Sequence, residues 1–255
     1  MHRQVELRFY AALNDFLPTE KRQRSYLFPL TRETSIKDLI ESQGVPHTEV
    51  ALILVNGKAV GFDHRVGDNE RIAVYPVFAN IDFAPETRLR EALPQVTRFV
   101  LDCHLGRLAR YLRQFGFDTL YQNNYHDAEL AGICAQQQRI LLTRDRTLLM
   151  RKIINHGYFV RATSPLRQFH EVMRRFGLYD QIVPFGRCTR CNGEVVAVNK
   201  TDVLDQLEPG TIRHYEQFWQ CSSCGQVYWE GSHYQRMQHT TNDVIAVASD
   251  YANNG

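Results

Sequence analysis

Apolar and polar residues alternate through Val5-Glu6-Leu7-Arg8-Phe9, the period of a strand with one buried face. Strand signals recur at 24–30, 51–55 and 71–76, and between them Ser35-Ile36-Lys37-Asp38-Leu39-Ile40 reads as a capped helix. Asn56-Gly57 and Gly67-Asp68 supply turns, and Gly44 ends the helix where a left-handed conformation is easy. The expected order over 1–80 is strand, strand, helix, strand, strand. Residues 81–97 carry two prolines and no sustained period, so they read as a linker with at most one helical turn.

A second pattern starts at Arg98. The short apolar run 98–101 reads as a buried strand, and Leu105, Leu108, Ala109, Leu112 and Phe115 follow at helical spacing, with Gly116 as the stop. Strands at 119–121, 139–143 and 158–161 then alternate with helices at 127–137, 146–152 and 164–176. Such alternation builds a parallel sheet with helices on both faces, and it occupies 98–184. From Phe185 the texture changes to short strands, turns and aromatics up to residue 237, and 238–255 reads as a frayed tail. The fold class expected is α/β: a small sheet-and-helix domain over 1–80, a parallel-sheet domain and a small C-terminal ribbon.

The 255 residues contain no basic leader followed by an apolar run, and no stretch of about 18 apolar residues. A soluble, cytoplasmic protein with no membrane partner is expected. Four of the six cysteines form two C-x-x-C pairs, Cys188/Cys191 and Cys221/Cys224, while Cys103 and Cys134 stand alone. That is a metal-site pattern rather than a disulfide framework, and it suits a reducing compartment. Thirty positions separate Cys191 from Cys221, room for strands near 194–198 and 216–219. Four soft thiolates fit tetrahedral zinc and leave no open position for water, so the ion expected is structural. A redox dithiol and a substitute ligand at His214 are the other readings of these residues.

In a parallel sheet the residues just past the strand C-termini share one edge. Asp102 follows the first strand directly, Asp145 follows Ile140-Leu141-Leu142-Thr143, and Asp127 opens the helix after the second strand with Glu129 nearby. Carboxylates gathered there repel unless a cation lies between them, and hard oxygen ligands suit Mg²⁺ or Mn²⁺. Asp102, Asp127 and Asp145 are therefore the candidate catalytic residues of a phosphodiester hydrolase, with Asp102 and Asp145 as the metal ligands. Each has a plainer role as well: Asp102, Asp127 and Asp145 can cap the helices they precede, and Glu129 suits a first helical turn.

Charge sharpens the choice of substrate. Residues 1–80 carry ten Lys/Arg against ten Asp/Glu, whereas 98–177 carry thirteen against six, a local charge of +7. Such a stretch favours a polyanion, although a solvated arginine face accounts for the same count. Arg107, Arg110 and Arg113 recur every three residues along the first helix, and Arg144, Arg146, Arg151 and Lys152 flank Asp145. Arg107, Arg110, Arg144 and Arg146 are the candidate contacts to a phosphate backbone.

Two resemblances bear on this reading. The order of elements in 1–80, with LILVNGKAV and VGDNERIAVYPVF, resembles the ubiquitin-like β-grasp sulfur carriers of thiamine and molybdopterin synthesis. Those carriers act through a free Gly-Gly end, whereas here Pro76-Val77-Phe78-Ala79 runs on into more protein, which points to a docking or stabilising module with a protein partner or its own chain. The stretches FVLDCHLGRLARYLRQFGFDTLY, RILLTRDRTLL, RFGLYD, CTRCNG and FWQCSSCGQVYWEGSHYQRM resemble the Mut-seven C-terminal RNase domain family, in which a β-grasp module can precede the nuclease. The resemblance implies a PIN-like fold with a zinc ribbon and metal-dependent RNase activity. It makes Asp102 and Asp145 the counterparts of PIN acidic residues, with Asp127 a third. A fourth carboxylate common in PIN nucleases has no counterpart, since Arg146 and Thr147 follow Asp145. The segment Gly231-Ser232-His233-Tyr234 belongs to the same resemblance and makes His233 a candidate RNA contact beside a packing role.

The function expected is a metal-dependent ribonuclease acting on RNA, single-stranded by preference. The competing reading is a non-catalytic RNA-binding or adaptor protein that keeps the PIN-like fold. A sulfur-transfer accessory is the third.

Overall fold

A computed structural model describes residues 3–77, 89, 94–231, 238, 241–244 and 246–247. The linker expected at 81–97 lies for the most part outside them, as does His233 with most of its motif.

The alternation in the first segment produces β1 (Gln4–Phe9), whose Val5, Leu7 and Phe9 are fully buried while Gln4 and Arg8 face out. It is followed by β2 (Tyr26–Pro29), α1 (Ile36–Ser42), β3 (Val50–Val55), β4 (Lys58–Ala59) and β5 (Arg71–Pro76). Ser35 caps α1 by accepting from the Asp38 N–H at 3.1 Å, worth about 1 kcal/mol against alanine. Asn56 and Gly57 turn the chain from β3 into the short β4, a strand the hydrophobic pattern did not announce. The sheet order is β2-β1-β5-β3-β4, with β1 and β5 parallel and the other neighbours antiparallel. Ile36, Leu39 and Ile40 of α1 join the strands' inward residues in one core. This is the β-grasp arrangement expected from the sequence.

The alternating segment forms β6 (Arg98–Leu101), α2 (Gly106–Gln114), β7 (Asp118–Tyr121), α3 (Asp127–Gln137), β8 (Ile140–Thr143), α4 (Arg146–Leu149), β9 (Gly157–Phe159) and α5 (Pro165–Phe176). Pairing is parallel between β6 and β7 and between β8 and β9. The ribbon consists of β10 (Val195–Val198), α6 (Pro209–His214), β11 (Phe218–Cys221) and β12 (Val227–Trp229) in an antiparallel sheet, with a 3-10 helix at Lys200–Gln206.

Two compact units emerge, Met1–Val96 with Asn124–Val160, and Thr97–Asn123 with Arg161–Gly255. In the first, residues 124–160 are tied to the β-grasp module by buried polar bonds. Glu49 accepts from the Phe159 N–H at 2.7 Å, and His47 bridges Glu41 (2.7 Å) and the Ile154 carbonyl (3.0 Å). Phe16 meets Phe159 edge to face at 5.4 Å. Ring contacts and charge-assisted bonds of this kind are among the stronger ones when shielded from water. The β-grasp module therefore docks on its own chain.

In the second unit α2 packs on α5, with Phe115 and Phe169 ring centroids 4.6 Å apart and Phe99 against Phe176. The far end of the chain departs from the frayed tail expected: Thr241 and Val244 are helical and buried, and the Gln114 amide reaches Thr241 Oγ1 at 3.4 Å.

Candidate functional site

The two C-x-x-C pairs are built by one backbone device used twice. In the first knuckle the Asn192 N–H donates to the Cys188 carbonyl (2.9 Å) and the Cys188 N–H to the Gly193 carbonyl (2.8 Å). In the second, Gly225 donates to Cys221 (3.0 Å) and Cys221 to Gln226 (2.9 Å). The residue after each second cysteine takes a left-handed conformation, Asn192 with φ 76° and Gly225 with φ 71°. Asparagine is among the residues with a Cβ that enter this region most readily. Gly193 serves a different need, since a Cβ there would meet Ser223 Oγ at 2.5 Å and Cys221 Sγ at 2.8 Å.

These turns bring the ligand atoms of Cys188, Cys191, Cys221 and Cys224 within 4.8 Å of one another. Cys188 Sγ lies 3.7 Å from Cys224 Sγ, and Cys191 Sγ 3.4 Å from Cys221 Sγ. A tetrahedron with metal–sulfur bonds of about 2.3 Å has edges of about 3.8 Å, so the cluster fits a structural metal. Burial opposes the Cys188 thiolate, but the Tyr228 hydroxyl, 3.0 Å from its sulfur, and the N–H groups of Cys191 and Arg190 outweigh it and bring the thiol down to about 7. Burial pushes Cys191 up to about 12. A cation releases such protons as it binds, which makes its affinity pH-dependent.

The first knuckle is latched to β7 and α2. Asn192 Oδ1 accepts from the Thr119 N–H and its Nδ2 donates to Asp118, both at 2.8 Å. Arg113 is only 5 % exposed; its Nε donates to the Thr119 carbonyl (2.9 Å) and its Nη1 to the Thr189 and Arg190 carbonyls (3.3 and 3.0 Å). The arginine row on α2 thus divides. Each step of three residues falls about 60° short of a full turn, so Arg107 and Arg110 remain exposed while Arg113 has rotated onto the buried face. Arg107 and Arg110 line a cleft of about 500 Å³ with His104, Tyr121 and Gln168.

The carboxylates lie in different units and are described in turn. Asp102, directly after β6 in the second unit, is buried and accepts from the Cys103 N–H at 2.6 Å, capping the 3-10 turn Cys103–Leu105. Burial, and then the neighbouring Asp102 side chain, raise the Cys103 thiol.

In the first unit Asp145 caps α4. Its Oδ1 accepts from the Thr147 N–H (2.7 Å), the Thr147 hydroxyl (2.7 Å) and the Leu148 N–H (3.4 Å), while the Asp145 N–H donates to Thr143 Oγ1. Partial burial raises its pKa, but these bonds and the Arg151 charge outweigh that and hold it below the ordinary carboxylate value. All three bonds fall on Oδ1. Asp127 opens α3 in the open and pairs with Arg151 at 3.5 Å, and Glu129 is exposed in the same turn. Arg146 donates to the Phe16 carbonyl at 3.1 Å with its guanidinium 5.1 Å from the Phe16 ring and 5.6 Å from that of Phe159. Arg144 is exposed beside Asp145. Among the described residues the four cysteines are the one group of three or more His, Cys, Asp or Glu side chains within mutual reach of a metal.

Comparison with known families matches residues 97–241, more than half of the chain, to the Mut7-C RNAse domain. The chain belongs to the Mut7-C RNAse domain family. Residues 2–82 match the Mut7-C ubiquitin model, in keeping with the β-grasp sheet. Neither a curated protein nor a solved structure matches. Membership supports a nuclease-type RNA function in general, and the Mut7-C match takes in Asp102, Asp127, Asp145 and all four cysteines. No helix among the described residues is long and apolar enough to cross a membrane.

Asn192 and Tyr228 of this Mut7-C domain escaped the sequence reading, and Arg113 was read only as part of the arginine row on α2; each of the three braces the cysteine centre. Asn192 carried a signal, because it stands where Gly225 stands in the second knuckle.

Proposed function

We propose that this protein is a metal-dependent ribonuclease that hydrolyses phosphodiester bonds in single-stranded RNA. The observation that carries the reading is the Mut7-C RNAse match over residues 97–241, and two local features support it. Asp102 and Asp145 both stand at the C-terminal ends of parallel strands, and Asp145 is held ionised with its three hydrogen bonds on one oxygen. Asp102, Asp145 and Asp127 would hold Mg²⁺ or Mn²⁺, which supplies charge neutralisation at the phosphate and lowers the pKa of water. Arg107 and Arg110, exposed along one cleft, hold backbone phosphates. Arg144 is an outer contact of the same kind, and Arg146, braced by two phenylalanines, lends its charge from a fixed position.

Zinc is the metal proposed for the cysteine cluster, where four thiolates close the shell and leave it structural. Four unpaired thiols call for a reducing compartment, so a cytoplasmic location is part of the reading. The β-grasp module serves its own chain first, and a protein partner on its outer surface is the remaining role.

The Asp127–Arg151 pair favours a second reading, in which a fixed guanidinium takes the place of a cation and the protein binds RNA without cutting it. One experiment separates the two. End-labelled single-stranded RNA is incubated with wild type and Asp102→Asn, with Mg²⁺ or Mn²⁺ added or omitted. Metal-dependent cleavage by wild type alone is expected; equal cleavage by both sinks the assignment, and binding without cleavage leaves the adaptor.

A further inference from the structure

We propose that one face of the ribbon sheet is a stacking platform for an unpaired base of single-stranded RNA. The inference rests on the RNA-directed reading above, but not on catalysis.

The sheet register sets up the platform. Phe218 pairs with Trp229 and Gln220 with Val227, while Trp219 pairs with Tyr228 between them. Successive residues of a strand alternate faces, so Trp219 and Tyr228 share the face opposite Phe218. The Phe218 side is covered by the ribbon's own core of Val203, Leu207, Phe218 and Val227. Trp219 and Tyr228 instead line a cavity of about 700 Å³ with Val195, Phe185, Arg187 and Arg190. That volume lies within the roughly 300–1,000 Å³ of small-molecule sites.

Chemistry selects the occupant. Two aromatic rings directly opposite across adjacent strands present apolar surface of the kind on which any base can stack, a contact worth about 1–3 kcal/mol per base. Arg187 and Arg190 add positive charge, and the described residues lining the cavity include no Asp or Glu. Arg190 is exposed and makes no side-chain hydrogen bond among the described residues, so its guanidinium is placed for a phosphate. An apolar peptide would leave that charge unmatched. The Tyr228 ring is held by its hydroxyl on Cys188 Sγ, so the platform is preorganised and little ordering is lost on binding.

The sequence contains two tryptophans, Trp219 and Trp229, and both line this cavity. Because Trp229 also packs against the ribbon core, quenching is assigned to the platform by its loss in Trp219→Phe. Metal-loaded full-length Asp102→Asn, free of added Mg²⁺ and Mn²⁺, is titrated with short oligouridylate and with a double-stranded RNA of equal length. Saturable quenching by the single strand and none by the duplex is expected. Anisotropy of labelled oligouridylate then compares Trp219→Ala, Trp219→Phe and Arg190→Gln in the same background. Loss of the ring should weaken binding roughly five- to 150-fold, the equivalent of one stacked base. Phenylalanine should restore most of it, and Arg190→Gln should flatten the salt dependence.

RNA binding that leaves the emission unchanged and Trp219→Ala unimpaired overturns the platform, whatever the wild type cleaves. Equal quenching by duplex and single strand, or no binding at all, overturns it too. Quenching by oligouridylate in a protein whose wild type cuts no RNA upholds the platform and removes the ribonuclease instead.

Discussion

The cysteine centre and the carboxylates are both candidate metal sites, and they are built in opposite ways. Each knuckle makes its turn within six residues, using bonds such as Cys188 to Gly193 and a left-handed Asn192 or Gly225. Beyond the cluster its sulfurs meet local N–H groups and the Tyr228 hydroxyl. Asp102 and Asp145 already cap the starts of helical turns, and Asp127 already pairs with Arg151. The four sulfurs thus converge on one another as a metal set, while each carboxylate has a second task that accounts for its presence without a metal. Variants that separate the two tasks decide how deep the difference goes.

The largest effect is expected at the cysteines. Structural zinc contributes on the order of 10–16 kcal/mol in small finger peptides, so Cys221→Ser should lose its equivalent of bound metal and expose the ribbon to proteolysis. Metal content after dialysis and limited digestion of the full chain check this. A variant that keeps its metal would mean that three sulfurs suffice and that the centre is not closed.

Next comes the latch. Arg113→Met leaves the carbonyls of Thr119, Thr189 and Arg190 without their charged donor, and bonds to charged groups contribute about 1.5–3 kcal/mol each. Bonds that share one guanidinium do not add in full, so a loss of roughly 3–5 kcal/mol, short of the sum of three, is expected in chemical denaturation. Asn192→Gly keeps the left-handed turn and gives up two bonds, for roughly 1–3 kcal/mol, whereas Asn192→Ala adds backbone strain and should cost more. Equal losses for glycine and alanine would show that the side-chain bonds, and not the left-handed backbone, set the residue there.

The same contrast explains what could be read from sequence. Short-range patterns carried through: the capped α1, the helix Asp127–Gln137, and the strand-helix alternation all appear near their expected positions. Arg113 was misjudged because spacing by three looks like a single helical face over one step and drifts off it over two. Buried Thr241 meets Gln114, more than a hundred residues away, and no local period announces that. Arg146 stands beside Asp145 in sequence yet is held by Phe16, a distant aromatic. The 3-10 helix and α6 between the knuckles were missed as well, although Glu208-Pro209 is a fair helix start.

Asp145 separates cap from charge most cleanly. Asparagine caps a helix about as well as aspartate, while alanine costs about 0.5–2 kcal/mol. Asp145→Asn should therefore keep its stability at neutral pH to within that amount, yet lose cleavage if the carboxylate holds a cation; Asp145→Ala should lose both. The folded carboxyl titrates below its ordinary value of 3.8, so the stability it contributes is present above that value and fades as pH falls through the lower, folded one. Thermal unfolding across that acid range should show wild type converging on Asp145→Asn.

The smallest structural effect is expected at Asp127, and it bears most on the comparison. Its pairing with Arg151 spans 3.5 Å between side chains 43 % and 49 % exposed, and exposed pairs contribute about 0–1 kcal/mol. Asp127→Asn should thus leave the unfolding midpoint almost unmoved. If Asp127 belongs to the acidic site, cleavage nevertheless falls and higher Mn²⁺ recovers part of it. Unchanged cleavage would assign Asp127 to the surface of α3 and leave Asp102 and Asp145 as the acidic pair. Arg151→Gln runs the test in the other direction: with the guanidinium gone, a cation that competes with it for Asp127 should bind more tightly, and half-maximal activity should come at lower Mn²⁺. A shift to higher Mn²⁺ would instead make Arg151 a contact to the RNA.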